Sequence, residues 1–242
     1  MDAPVVGPRA AEGEAAVVCG EAVMRTFGEG AAAITAVRDA TFTVAPRARI
    51  ALAGPSGSGK STLLHLVAGL DIVTAGTLAW PSLATNPVSR LGQIGTVFQG
   101  PSLIPALDVI ENVRLPMLFA GVTEAAATVR AAESLARLGI VNLTNALPDE
   151  LSGGQAQRVA VARVLAAAPR LILADEPTGQ LDHHAASLVV DVLLQAADES
   201  GAALIVSTHD PAIAARLPTE WTMHDGRLHT PAADVDADRG RR

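Results

Sequence analysis

The eight residues Gly54-Pro-Ser-Gly-Ser-Gly-Lys60-Ser61 constrain this chain more than any other segment. They follow an apolar run at 50–53 and precede a helical pattern at 61–70. In that context the pattern G-x-x-x-x-G-K-S/T forms a phosphate-binding loop. Gly57 and Gly59 free the backbone to curl until successive N–H groups point inward at phosphate oxygens. A helix beginning near Lys60 sets the positive end of its dipole beneath them. Lys60 brings a full charge to the β- and γ-phosphates, and the Ser61 hydroxyl can ligate Mg2+. The candidate nucleotide-binding residues are therefore Gly54, Pro55, Ser56, Gly57, Ser58, Gly59, Lys60, Ser61 and Thr62.

Around this loop, strand and helix signals alternate. Strands are predicted at 41–44, 50–53, 96–98, 171–174 and 204–207, and helices at 61–70, 123–138, 155–168 and 185–197. Interleaving of this kind predicts an α/β fold with a parallel sheet covered on both faces. The segment at about 100–168 changes character and reads as a helical lobe set into that core. Residues 1–16 read as a flexible leader, 17–230 as the domain, and 231–242 as a disordered tail. Hydrophobic residues are 49% of the chain and aromatics 2%, so the core must be built of Ala, Val, Leu and Ile. The formal charge of −7 argues against a nucleic-acid surface, which needs a clustered basic face. No apolar run approaches the roughly 20 residues that span a bilayer. The first eleven residues lack the features of a secretory signal. The expected location is thus cytoplasmic, and any membrane role needs a partner. A single cysteine, Cys19, reads as a structural or incidental residue.

Two further motifs carry chemistry. Leu171-Ile-Leu-Ala-Asp175-Glu176 is an apolar strand ending in two carboxylates. Such a strand delivers Asp175 to the sheet's carboxyl edge beside Ser61, as a metal contact, and leaves Glu176 to polarise an attacking water. Leu151-Ser-Gly-Gly-Gln155 opens the helix predicted at 155–168. Its exposed N–H groups make a second phosphate-binding surface on one chain. One nucleotide needs one phosphate loop, so the second cradle is expected to serve a nucleotide held by another subunit. His183-His184 carry no metal reading, because adjacent residues on a helix point about 100° apart.

Together these residues resemble the ATP-binding cassette family over roughly 16–229. The resemblance implies a RecA-like P-loop NTPase core with a parallel sheet, a small antiparallel β lobe and an inserted α-helical lobe. It implies that Ser152, Gly153, Gly154 and Gln155 form the signature motif completing a partner's ATP site in a head-to-tail pair, here a homodimer. Gln99 is similar to the glutamine that contacts Mg2+ and water, and His209 to the switch histidine on the γ-phosphate. Thr178–Asp182 resembles the loop that crosses the dimer interface and includes Asp182. Phe27 occupies the place of the ring that stacks on adenine, whereas Phe42 reads as core. The implied catalytic set is Glu176, His209, Lys60 and Gln99, and the metal set Ser61, Gln99 and Asp175. Two departures stand out: Gln180 where Asn is common, and a short 76–93 interval that implies a trimmed β lobe.

The motif order most resembles the branch holding the ATPases of lipoprotein-releasing, macrolide-export and peptide-export systems and of cell division. That implies an ATP-hydrolysing subunit powering separate transmembrane permease subunits in export, at the cytoplasmic face of the membrane. The alternative is a regulatory ATPase of a membrane complex controlling cell-wall enzymes. The loop after Gln99 and the lobe, 101–119, are expected to receive the membrane partner. Neither substrate nor transport direction is legible beyond that lean.

Overall fold

The computed structural model describes residues 14–85, 90, 92–179 and 181–231. Most of the predicted leader, all of the tail beyond Pro231, and Gln180 lie outside the described residues. In chain order the strands are β1 (Val18–Phe27), β2 (Ile34–Val44), β3 (Arg49–Ala53), β4 (Ala75–Ala79), β5 (Ile94–Val97), β6 (Leu171–Asp175), β7 (Ala203–Thr208), β8 (Thr219–His224) and β9 (Arg227–His229). The helices are α1 (Lys60–Ala68), α2 (Val109–Phe119), α3 (Glu124–Arg137), α4 (Gly153–Ala167), α5 (His183–Ser200) and α6 (Pro211–Ala214).

The strands form one sheet in the order β4-β1-β2-β9-β8-β3-β7-β6-β5. From β8 to β5 all pairings are parallel. All five residues of β6 are buried. A strand covered on both faces reads as one apolar run rather than an alternation, which is why this element was legible. At the other edge β1 pairs antiparallel with β2 and β4, the expected small β lobe. It joins the parallel sheet through β2 and β9, at the Arg38–Arg227 register. Its strand β4 spans five residues. Phe42 is buried as expected and tilts against Trp221 with ring centroids 5.5 Å apart.

The buried parallel strands divide the core in two. One cluster joins β6, β7 and α5 to the helical lobe, and the other packs α1 and the β lobe against the opposite face. In α3 the buried positions are Ala127, Ala131, Ser134 and Leu135, the helical spacing that predicted it.

Helix α2 was not predicted, because Pro116 interrupts its pattern. A start signal was nevertheless present. Asp108 accepts from the Glu111 N–H at 2.8 Å while Glu111 accepts from the Asp108 N–H at 3.0 Å, a reciprocal cap. Strands β1, β4, β8 and β9 were also missed. In β8, Trp221 and Met223 are buried in alternation, and the strand turns into antiparallel β9 through Asp225-Gly226, a hairpin signal that was present in the sequence.

Asn112, on the first turn of α2 and 1% exposed, ties down the loop before it. Its Oδ1 accepts from the Ile104 N–H at 2.8 Å, and its Nδ2 lies 3.1, 2.8 and 3.0 Å from the carbonyls of Ile104, Leu107 and Asp108. Asn112→Ala leaves these buried groups without partners, so it is expected to lower the unfolding free energy by roughly 2–4 kcal/mol. Urea denaturation of the purified chain measures this, and an unchanged midpoint would show that the loop is held otherwise.

Candidate functional site

The phosphate loop is shaped by close approach of backbone. Gly54 has φ +151, and a Cβ there would lie 2.2 Å from the Met223 carbonyl oxygen of β8. Gly59 has φ +106, and its Cβ would lie 2.1 Å from the Ala36 carbonyl oxygen of β2. The loop is thus wedged between two strands that admit no side chain at either glycine. Gly57, φ +76, faces open space, so there the requirement is conformational alone. Pro55, Ser56 and Ser61 are exposed and Thr62 is half-buried. Ser58 is buried, and its Oγ has no hydrogen-bond partner among the described residues. Lys60 is 5% exposed, and its Nζ donates to the carbonyls of Gly54 and Pro55 at 2.8 and 2.9 Å.

Across from the loop, β6 ends at Asp175, 4% exposed, and the chain turns at Glu176 with φ +44. That left-handed turn is held by Ser207 of β7, the register partner of Asp175. The Glu176 N–H is shared between the Ser207 carbonyl at 3.2 Å and Oγ at 3.0 Å. The Ser207 hydroxyl in turn donates to Asp175 Oδ1 at 2.5 Å. One buried side chain therefore fixes both carboxylate-bearing residues. Nothing in the sequence marks Ser207 for this role, since the contact depends on strand register.

Three side chains from three other elements converge on the Glu176 carboxylate. Lys60 Nζ is 3.8 Å from Oε1, His209 Nδ1 is 3.5 Å from Oε2, and Gln99 Nε2 is 3.5 Å from Oε2. The Lys60 separation suits charge attraction, and the two 3.5 Å approaches mark the outer limit of hydrogen bonding. Gln99 follows β5 and His209 follows β7, so parallel pairing brings both to the same edge as the phosphate loop.

Other predicted residues stand apart from this cluster. Ser152 caps α4, its Oγ accepting from the Gln155 N–H at 3.3 Å while Gln155 Oε1 accepts from the Ser152 N–H at 2.8 Å. Gly153 and Gly154 occupy the first turn behind that cap, where N–H groups precede the first intrahelical bond. Among the described residues no hydrogen bond joins this turn to the phosphate loop. Asp182 caps α5, and the hydrogen bond from the Ala185 N–H at 2.8 Å holds its carboxyl below the usual range. Phe27 ends β1 and is 42% exposed, with the Arg25 guanidinium 4.3 Å from its ring centroid. It pairs with Ile34, two residues before the Ala36 carbonyl that meets Gly59.

Between the parallel sheet and the helical lobe lies an apolar groove of about 380 Å3, lined by Leu70, Phe98, Pro116, Phe119, Arg130 and Arg163 among others. Phe119 is 84% exposed at its lip. The lining takes in the end of α2 rather than the whole of 101–119. Among the described residues no helix is long and apolar enough to cross a membrane.

The geometry has close parallels. A family model described as ABC transporter matches residues 37–179. The lipoprotein-releasing system ATP-binding protein LolD of Paramagnetospirillum magneticum is 40% identical over 216 residues, covering 85% of this chain and 94% of that protein. An uncharacterised ABC transporter ATP-binding protein of Mycobacterium tuberculosis is 41% identical over 210 residues, covering 84% and 85%. Among solved structures, the dimeric ATP-binding cassette MJ0796, in a post-hydrolysis state with ADP and Pi, superposes with a TM-score of 0.81 at 32% identity, covering 88% of this chain and 98% of that one. The cassette fold is therefore shared along nearly all of the described chain. With a family match over more than half of its length and relatives this similar, the chain belongs to the ABC transporter family, as one of its ATP-binding, ATP-hydrolysing subunits.

Proposed function

We propose that two copies of this chain enclose ATP between them, hydrolyse it, and thereby drive separate membrane permease subunits in extrusion. The observation that carries this reading is the Glu176 carboxylate, reached at once by Lys60, Gln99 and His209. The reaction is ATP + H2O → ADP + phosphate. Lys60 and the amides of residues 54–62 hold the β- and γ-phosphates and spread their charge. Glu176 orients the attacking water and accepts its proton, while Gln99 steadies that water. His209 holds the γ-phosphate from the far side.

The donor set also fits Mg2+. Ser61 offers a hydroxyl, Gln99 an amide oxygen and Asp175 a carboxylate of which Ser207 engages Oδ1, all hard oxygen donors. Mg2+ held by Ser61, Gln99 and Asp175 would supply positive charge to offset the negative charge of the phosphates.

Gly153 and Gly154, at the dipole end of α4, supply the partner's pocket with a second set of N–H groups. MJ0796 is a dimer in its solved structure, which supports this pairing. ATP touching both copies favours the closed pair, and loss of the γ-phosphate removes that differential contact. Phe27 provides a ring face for the adenine. On this reading the groove at Phe119 is the seat of the membrane subunit, and the chain sits peripherally on the cytoplasmic face. The resemblance to LolD proteins supports an export system of this kind.

Glu176→Gln is expected to lower ATP turnover by about 10²–10⁴-fold while the chain still binds ATP and accumulates as a dimer by light scattering. Near-normal hydrolysis would remove Glu176 from its role. Phe119→Glu is expected to abolish recovery of the membrane subunits with the tagged chain from native membranes. Its soluble ATPase rate should stay within about twofold, since binding to a partner and chemistry are separate free energies. Undiminished co-purification would place the docking surface elsewhere.

A further inference from the structure

Helix α4 begins at the Ser152–Gln155 turn, and two of its side chains reach across to the loop that carries Gln99. Gln157 is 1% exposed, and its Nε2 donates to the Phe98 carbonyl at 3.1 Å, immediately before Gln99. Arg163 donates through Nη1 to the Ser102 carbonyl at 2.9 Å and through Nη2 to the Pro101 carbonyl at 3.4 Å, just after it. The loop is thus gripped on both sides of Gln99 by one rigid element. The two side chains are six positions apart, about 9 Å along the helix axis.

Neither residue is explained by packing. The Oε1 of Gln157 is buried with no hydrogen-bond partner among the described residues. Burying an amide half-satisfied costs stability, so a residue serving only to fill space would be better as Leu or Met. The amide contributes its bond to Phe98. Arg163 enters no ion pair among the described residues and spends its donors on loop carbonyls. Burial holds its guanidinium below the usual pKa, so those carbonyls are what offset its desolvation. Ser102, which receives it, has φ +48, a strained backbone that needs an external hold.

We infer that Gln157 and Arg163 are positioning residues that fasten the Gln99 loop to α4, so that Gln99 and the Ser152–Gln155 turn move as one body. This rests on the ATP-hydrolysing reading above and deepens it into a regulatory link. Phe98 and Arg163 both line the groove assigned to the membrane subunit. Pressure there displaces α4 and the loop together. The 3.5 Å approach of Gln99 to Glu176 in one copy's site, and the N–H groups offered to the other copy's site, therefore change in a single step.

The test compares the full-length chain with Gln157→Met, Arg163→Met, Arg163→Lys and the double Met variant, by ATPase kinetics and by hydrogen exchange. Each single Met variant is expected to lower kcat by about tenfold. The KM for ATP should stay within about twofold, because residues 54–62 are untouched. Amide exchange should rise in peptides spanning 98–104 and stay unchanged in α1. Arg163→Lys should recover most of the rate, since an ammonium still reaches one of the two carbonyls. The double variant should lose little more than the worse single, because either deletion frees the same loop. Native kcat with native exchange at 98–104 in both single variants would overturn the inference. So would exchange rising equally in α1, which would reduce both residues to general stabilisers. Turnover retained in Glu176→Gln would sink the catalytic reading alone, and the exchange at 98–104 would still judge the clamp.

Discussion

Lys60 places an ammonium where only 5% of its surface meets water, and a buried charge has to be compensated by the protein. The surrounding architecture follows from that requirement. Two carbonyls of its own loop turn back to meet Nζ, which the chain can do only by curling through glycines. A carboxylate must also stand within reach, and Glu176 does so from the neighbouring part of the sheet. The loop's position is set in turn by Met223 and Ala36, whose carbonyls press against the two glycines from different strands. Sheet, loop and helix α1 are consequently one mechanical unit.

The second constraint is the turn after β6. An acidic residue in a left-handed backbone conformation is unfavourable by itself, and Ser207 stabilises it through hydrogen bonds on both sides of its hydroxyl. The same hydroxyl orients Asp175. A single residue of β7 therefore couples the carboxylate suited to a metal with the carboxylate suited to a water. Two residues later, just past the end of the same strand, His209 also approaches the Glu176 carboxylate. Parallel pairing turns three strand ends, distant in sequence, into one site.

The helical lobe contributes no side chain to that cluster, yet it is tied to it. Gln157 and Arg163 bind the loop around Gln99 to α4, and the N-terminus of α4 presents the glycine turn outward. On the proposed reading, one chain holds two incomplete halves of a nucleotide enclosure on separate lobes, and completing the enclosure is the same event as closing the pair. The apolar groove lies at the joint between the lobes, where a displacement reaches both halves.

Much of this was legible in the residues themselves. The glycine-lysine loop, the apolar strand ending in Asp175-Glu176 and the Ser152–Gln155 cap are local, and local chemistry reads directly from short sequence. The strands around β6 were equally plain because burial on both faces leaves an uninterrupted apolar run. The β lobe's first strand, the Pro-containing α2 and the last two strands were not, since each is short, irregular or decided by what packs on it. The roles of Ser207, Gln157 and Arg163 were out of reach for a different reason. Each is defined by a partner 32, 59 or 61 positions away along the chain, and only strand register and helix docking determine who that partner is. Sequence determined which groups the molecule possesses; tertiary structure decided which of them meet, because a hydrogen bond requires a distance that no residue pattern contains.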